Sequence, residues 1–185
     1  MTVGGALATA AWLFLAAVDP DRAGHAEAWW LPLNVSLALG GSLVALGLAA
    51  AHARQAEETR TLGAIGFVLF FIGLTLAYVG VQTLEAATRP HVPATIGVIA
   101  GIAAPSLFLG GVITAIATWR ARIFPRGIAA ALLVSMGLGL LTRLVDMPSW
   151  LVHVIPAVFT ATMTWFGISL FRAPSVVRRR PASAR

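Results

Sequence analysis

Residues 61–83, TLGAIGFVLFFIGLTLAYVGVQT, are the stretch that decides the fold of this chain. They contain no Asp, Glu, Lys or Arg, and their number lies within the range of about 17 to 25 residues that a helix needs to cross a bilayer. Because hydrocarbon offers no water to the backbone, a continuous apolar run of this length predicts a helix, whereas a membrane strand would alternate. The stretch therefore predicts a transmembrane helix.

Similar apolar segments occupy most of the rest of the chain. They lie at about residues 2–18, 32–53, 93–119, 127–146 and 150–171. The chain is 58% hydrophobic and 11% charged, and that charged share is less than half of the roughly 25% usual in soluble domains. We therefore predict an all-α fold, a polytopic transmembrane bundle of six helices, with residues 1–172 as one domain and residues 173–185 as a basic cytoplasmic tail.

The distribution of arginine predicts the orientation of this bundle. All 13 basic residues are arginines, and they concentrate in the second loop, the fourth loop and the tail. The other three loops hold only Arg22 and Arg89. Since loops rich in arginine stay on the cytoplasmic side, both termini are expected in the cytoplasm, and the protein is expected to be a multi-pass protein of the plasma (inner) membrane.

The first segment has a second interpretation, as a secretory signal. MTVGGALATAAWLFLAAV is short, and small residues follow it. A signal peptide normally begins with a positively charged region, which this leader lacks. This favours a retained span, whereas cleavage would leave five spans in the same orientation.

Small residues and prolines predict how the helices pack. Gly97 and Gly101 form a GxxxG pair of the kind that lets helix backbones approach closely. Packing within the bundle is the favoured interpretation, and a dedicated dimer face is the alternative. Pro105 and Pro156 are expected to kink the fourth and sixth segments or to free a carbonyl there.

A short repeat links the second and fourth segments. LGGSLVALGLAAAHAR at residues 39–54 and LGGVITAIATWRAR at residues 109–122 begin alike, and each leads into an arginine-bearing loop. This predicts two parallel helical hairpins. Parallel repeats occur in transporters, but duplication of a packing unit explains the pattern equally well.

Polar residues are expected to converge in the outer halves of the helices. If the polar stripes face inward, they would line a small pocket that opens to the outside. The candidate ligand or proton site consists of Asn34, Tyr78, Gln82, Arg143, Asp146 and His153.

Two interpretations of the charged part of this site stay open. Arg143 and Asp146 are three residues apart, so they are expected to pair on one helical face. In the first interpretation the pair is an interfacial salt bridge, with Arg143 extended towards water and His153 simply polar. In the second, Arg143 binds an anion, Asp146 orients it and His153 titrates. The first is favoured, because these residues lie near the membrane edge.

Composition limits the chemistry that the chain can perform. It has no lysine and no cysteine, which removes Schiff-base, thiolate and disulfide chemistry. The first loop, DPDRAGHAE, holds His25 among carboxylates but lacks the spacing of known metal sites. We therefore predict no metal, no cofactor and no catalytic residues. The terminal RRRPASAR is expected to contact anionic lipid rather than nucleic acid.

Two stretches carry a resemblance to a group of known proteins. ARQAEETRTLGAIGFVLFFIGLTL at residues 53–76 and TWRARIFPRGIAAALLVSMGLGLL at residues 118–141 look like the hairpin regions of small uncharacterised multi-span membrane proteins of GC-rich bacteria. The resemblance implies a helical membrane bundle. It brings no activity and no site residues.

Two functions from different classes are consistent with the sequence. The favoured hypothesis is a non-enzymatic accessory or scaffold subunit of a membrane assembly, whose partners are the lipid bilayer and either other membrane subunits or further copies of the chain. The alternative is a small transporter or ligand-binding membrane protein that uses the outward-facing polar pocket around Arg143, Asp146 and His153.

Overall fold

A computed structural model describes residues 1–18, 27–84 and 94–172, and within these residues all of the regular secondary structure is helical. Five α-helices follow one another along the chain: α1 (Thr2–Val18), α2 (Glu27–Leu74), α3 (Ala94–Ala121), α4 (Arg126–Leu144) and α5 (Ser149–Arg172). A π-helix, Thr75–Val81, continues directly from α2. Four helical stretches of the described residues are long and apolar enough to cross a membrane, namely Trp29–Leu84, Ala94–Ala121, Arg126–Leu144 and Ser149–Arg172; Thr2–Val18 is apolar but shorter.

Helix α2 reverses direction at Arg60. The backbone of Arg60 is not helical (φ 47°, ψ −132°). On either side of it the chain forms an antiparallel pair, because His52 stacks on Phe67 with 4.6 Å between ring centroids and Gly41 lies against Tyr78. We call residues 27–59 the first arm and residues 61–84 the second arm. The segments expected at 32–53 and 61–83 are thus the two arms of one helical run.

The helices and arms form a closed ring in the order of the sequence. Each packs against the one before it and the one after it, and α5 returns to α1. Neighbours run antiparallel, since Gly4 meets Gly40 across the first contact and Gly5 meets Thr164 across the last. Phe70 and Phe159 meet across the interior with 6.0 Å between ring centroids. Short loops favour this arrangement, because they join antiparallel neighbours.

Glycine and alanine allow the second arm and α3 to lie in direct backbone contact. A side chain at Gly73 would overlap the backbone of Leu107, and one at Gly110 would overlap the backbone of Phe70. Ala103 and Ala117 lie seven residues either side of Gly110 on the same buried face of α3. Small residues at such spacing bring helix axes close together, which increases dispersion contacts between backbones.

Hydroxyl groups and one amide connect the helices by hydrogen bonds. The Thr9 hydroxyl donates to that of Thr160 (2.8 Å), which links α1 to α5. The hydroxyls of Ser135 and Thr162 lie 3.3 Å apart and link α4 to α5. Such bonds between apolar helices contribute about 0.6 kcal/mol each on average. They fix the rotation of each helix about its axis, because the polar stripe must meet its partner.

The GxxxG pair does not pack within the bundle, contrary to the favoured expectation. Gly97 and Gly101 are exposed, and a Cβ at either position would meet nothing within 4 Å in the part of the chain that the structure describes. Helix α3 buries Ile96, Ala103 and Gly110 instead. Because these residues occupy another side of the helix, the GxxxG face points outward. The helices continue through Pro105 and Pro156.

The two halves of the short repeat have equivalent environments. Gly40 lies against α1 and Gly41 against the second arm. In the other copy, Gly110 lies against the second arm and Gly111 against Met136 of α4. In each copy, the first glycine therefore contacts the preceding segment and the second glycine contacts the following one. The repeated LGG is thus a repeated packing unit.

Candidate functional site

The two ends of the bundle differ strongly in charge. Of the seven arginines in the described residues, six lie at one end, which we call the arginine-rich end; they are Arg54, Arg60, Arg120, Arg122, Arg126 and Arg172. Arg54 there donates from Nη1 to the carbonyl oxygen of Leu170 (2.9 Å), near the end of α5. A cation at a helix C-terminus is favourable because the carbonyls carry partial negative charge. Arg143 alone among the seven lies at the opposite end.

Two of the expected site residues, Asn34 and Gln82, line one groove at the opposite end. The groove lies between the two arms of α2 and has a volume of about 340 Å³. Its apolar lining is Leu31, Val35, Ala38 and Leu39, and its polar lining is Asn34, Gln82 and Thr83. The fold brings these residues together because residues 34 and 82 lie towards the open ends of the antiparallel arms.

The two carboxamides of the groove differ in their hydrogen bonds. Asn34 is 2% exposed, and its Nδ2 donates to the carbonyl oxygen of Trp30 (3.0 Å). Gln82 is half-buried, and its side chain has no hydrogen-bond partner among residues 1–18, 27–84 and 94–172. Gln82 follows the π-helix directly and caps it through its backbone N–H, which donates to the carbonyl of Val79. The wider turn of a π-helix changes the direction of the side chains that follow.

Tyr78 and His153 lie apart from the groove. Tyr78 is buried, and it borders an interior space between α1, α2 and α5 that is too small for a water molecule. His153 is half-buried, with its ring centroid 6.0 Å from that of Trp12. Its Nδ1–H donates to the carbonyl oxygen of Ser149 (2.7 Å). The indole of Trp12 also approaches Tyr78.

Arg143 and Asp146 do not form the ion pair that their spacing predicts. Helix α4 ends at Leu144, and Val145 is extended (φ −133°, ψ 133°). The i, i+3 geometry of a helix therefore does not reach Asp146. Both side chains are exposed, and within the described part of the chain neither has a charged partner within 4.0 Å.

A buried polar cluster near the arginine-rich end was not among the predicted sites. Gln55 and Thr118 are 2% and 1% exposed, and the Thr118 hydroxyl donates to Oε1 of Gln55 (3.2 Å). The Thr59 hydroxyl donates to the carbonyl oxygen of Gln55 (2.9 Å). The spacing of four between Thr114 and Thr118, and between Gln55 and Thr59, is a helical stripe that the sequence displays. The cluster joins the first arm to α3.

The predictions about a metal site and the basic tail concern residues that lie largely outside the described ranges. Among the described residues, no group of three or more His, Asp or Glu side chains is arranged to hold a metal ion. The first-loop candidate around His25, and the basic tail at residues 173–185, lie outside the described residues.

The chain matches no protein-family profile, no curated protein and no solved structure.

Proposed function

We propose that the chain is a multi-pass protein of the plasma (inner) membrane that crosses it six times, with both termini in the cytoplasm, and serves as a non-enzymatic accessory or scaffold subunit. The crossings are α1, the two arms of α2, α3, α4 and α5. The concentration of six arginines at one end supports this orientation, because arginine-rich loops stay in the cytoplasm. The apolar outer surface of the helices, such as Val98 at 65% exposure, supports contact with lipid.

The exposed GxxxG face of α3 is the observation that carries the subunit role. A glycine inside a helix costs roughly 0.5–1 kcal/mol relative to alanine. Gly73 and Gly110 compensate for this cost through backbone contacts within the bundle, whereas a Cβ at Gly97 or Gly101 would meet none of the described residues within 4 Å. A helix of another chain, seated on this face, would supply the missing contacts.

The subunit role is tested by purification of the intact chain in mild detergent, with mass spectrometry of what accompanies it. Wild type is expected to bring a second membrane chain, either another protein or a further copy. Gly97→Leu should lose it, because the side chain blocks close approach. Gly137→Leu is the matched control, since Gly137 is also exposed and without a neighbour within 4 Å, but on α4. A wild-type protein that leaves the membrane alone would refute the role.

The orientation is tested by labelling single cysteines, for which the chain is suited because it has none of its own. Arg122→Cys and Asp146→Cys place one exposed thiol at each end of the bundle. In intact cells, a membrane-impermeant maleimide should label position 146 and not position 122. The reverse pattern would overturn the proposed orientation.

Ligand binding is a second candidate function, which the groove beside Asn34 and Gln82 supports. Arg143 lies exposed in the last turn of α4, and Asp146 lies exposed beyond the end of that helix. The groove therefore supports binding by the uncharged residues between the arms of α2 rather than by this charged pair.

A further inference from the structure

The groove between the arms of α2 is lined by both apolar and polar residues. On one side Leu31, Val35 and Leu39 are exposed and apolar. The polar groups that the described residues supply, from Asn34, Gln82 and Thr83, are all uncharged, and they lie in the turns at the open ends of the arms. On the proposed membrane placement, this puts hydrogen-bonding groups close to the headgroup level, with an apolar wall beside them. Such an arrangement is complementary to an amphiphile.

The hydrogen-bonding capacity of the groove is incompletely used. Nδ2 of Asn34 donates to Trp30, so its Oδ1 remains as an acceptor. The carboxamide of Gln82 keeps both its donors and its acceptor, since no described residue bonds to it. One ligand hydroxyl donating to Asn34 and one ligand carbonyl accepting from Gln82 would give each side chain one further hydrogen bond.

The carboxamide of Gln82 has hydrogen-bonding groups that none of the described residues uses. It lies half-buried beside the apolar residues of the groove, and leucine at this position would remove those groups. The preceding seven-residue π-helix, Thr75–Val81, is an unusual backbone, of a kind found frequently at functional sites. Both features occur at the edge of the same groove.

We propose that this groove binds an uncharged single-chain lipid with hydroxyl groups and an ester carbonyl, of the monoacylglycerol class. The ester carbonyl accepts from Gln82, a glycerol hydroxyl donates to Asn34, and the acyl chain follows the apolar wall of the first arm. Among the described residues, the lining offers no cation for a phosphate. The volume of about 340 Å³ is near the lower limit of ligand pockets, which suits one head and the start of one chain.

This inference rests on the proposed membrane placement, and photolabelling tests it separately. The probe is a monoacylglycerol with a diazirine near the head of its chain, added to the full-length protein in nanodiscs of dioleoylphosphatidylcholine. Peptide mapping is expected to place saturable labelling on residues 31–39 and 82–83. Unlabelled 1-oleoylglycerol should compete for it, and dioleoylphosphatidylglycerol should not.

Variants of the groove distinguish specific binding of the lipid headgroup from unspecific contact with acyl chains. Gln82→Leu should weaken competition by about threefold to tenfold, as expected from loss of one hydrogen bond. Ala38→Phe, which fills the groove, should abolish the saturable labelling. Ala104→Phe is the matched control on the exposed surface of α3, and it should label like wild type.

The stability of Gln82→Leu and the distribution of the photolabel over the helices can each overturn the inference. Gln82→Leu is expected to be at least as stable as wild type in the absence of the lipid, and a clear loss of stability would assign Gln82 a structural role instead. Even, non-competed labelling of all outward-facing helices would show bulk lipid only. If the maleimide labels position 122 and not position 146 in intact cells, the proposed membrane placement is refuted. If it labels position 146 as expected but the photolabelling of the groove is not competed, only the lipid site is refuted.

Discussion

The backbone of Gly110 lies so close to the backbone of Phe70 that any side chain at position 110 would overlap the Phe70 amide. This contact joins α3 to the second arm of α2, and Gly73 makes the reciprocal contact with Leu107. Since the obstacle is backbone rather than a flexible side chain, the two helices would have to separate to admit even one methyl group.

Gly110→Ala is therefore expected to destabilise the protein by about 1–3 kcal/mol, the usual range for overpacking. Gly101→Ala on the same helix is the control, because nothing lies within 4 Å of its Cβ position; it should be neutral or raise stability by up to about 1 kcal/mol. Unfolding of the purified variants in mixed micelles measures both. Equal effects at the two positions would contradict the close contact.

Thr118→Val should destabilise the bundle by about 1–3 kcal/mol. The substitution preserves shape but leaves Oε1 of buried Gln55 without the hydroxyl that now donates to it (3.2 Å), and an unsatisfied buried acceptor costs about this much. Thr142→Val is the matched control, because the Thr142 hydroxyl donates only to Gly139 of its own helix (2.8 Å). The same unfolding measurement should find Thr142→Val close to wild type; a silent Thr118→Val would mean that the bond does not join the helices.

Arg60→Gly is expected to raise stability by up to about 1 kcal/mol. Arg60 has a positive φ of 47°, a conformation that strains residues with a Cβ and suits glycine. Arg120→Gly removes the same charge from the same end, but from the last turn of α3, where a cation stabilises the helix C-terminus; it should therefore lower stability by up to about 1 kcal/mol. Thermal unfolding in detergent compares the two. If both variants lost stability alike, the turn at Arg60 would not be strained.

Arg143→Gln should change stability by less than about 0.5 kcal/mol, as is usual for exposed residues without special contacts. The side chain is exposed, and the helix ends before Asp146 could pair with it. The same variant should leave the photolabelling of the groove unchanged, because Arg143 is not part of its lining. If Arg143→Gln lost more than about 2 kcal/mol of stability, or lost the photolabelling of the groove, Arg143 would be part of the candidate site.

The sequence alone determined that the chain is helical and where its helices lie, because long apolar runs leave the backbone no other way to satisfy its hydrogen bonds. It also showed which polar residues stand out against that background. The collection of arginines at one end follows in the same way, since their positions relative to the helix ends can be read directly from the chain.

Only the tertiary structure decided which side of each helix meets which neighbour. Gly110 and Gly97 are both glycines of α3, yet one is in backbone contact and the other is exposed, because the rotation of a helix depends on all the residues packed around it. For the same reason Asn34 and Gln82 share a groove, while Arg143 and Asp146 stay apart at a helix end that a three-residue spacing did not reveal. The spacing of residues in the sequence shows which side chains share one face of a helix. Which neighbouring helix that face contacts is decided by the packing of all the helices in the ring.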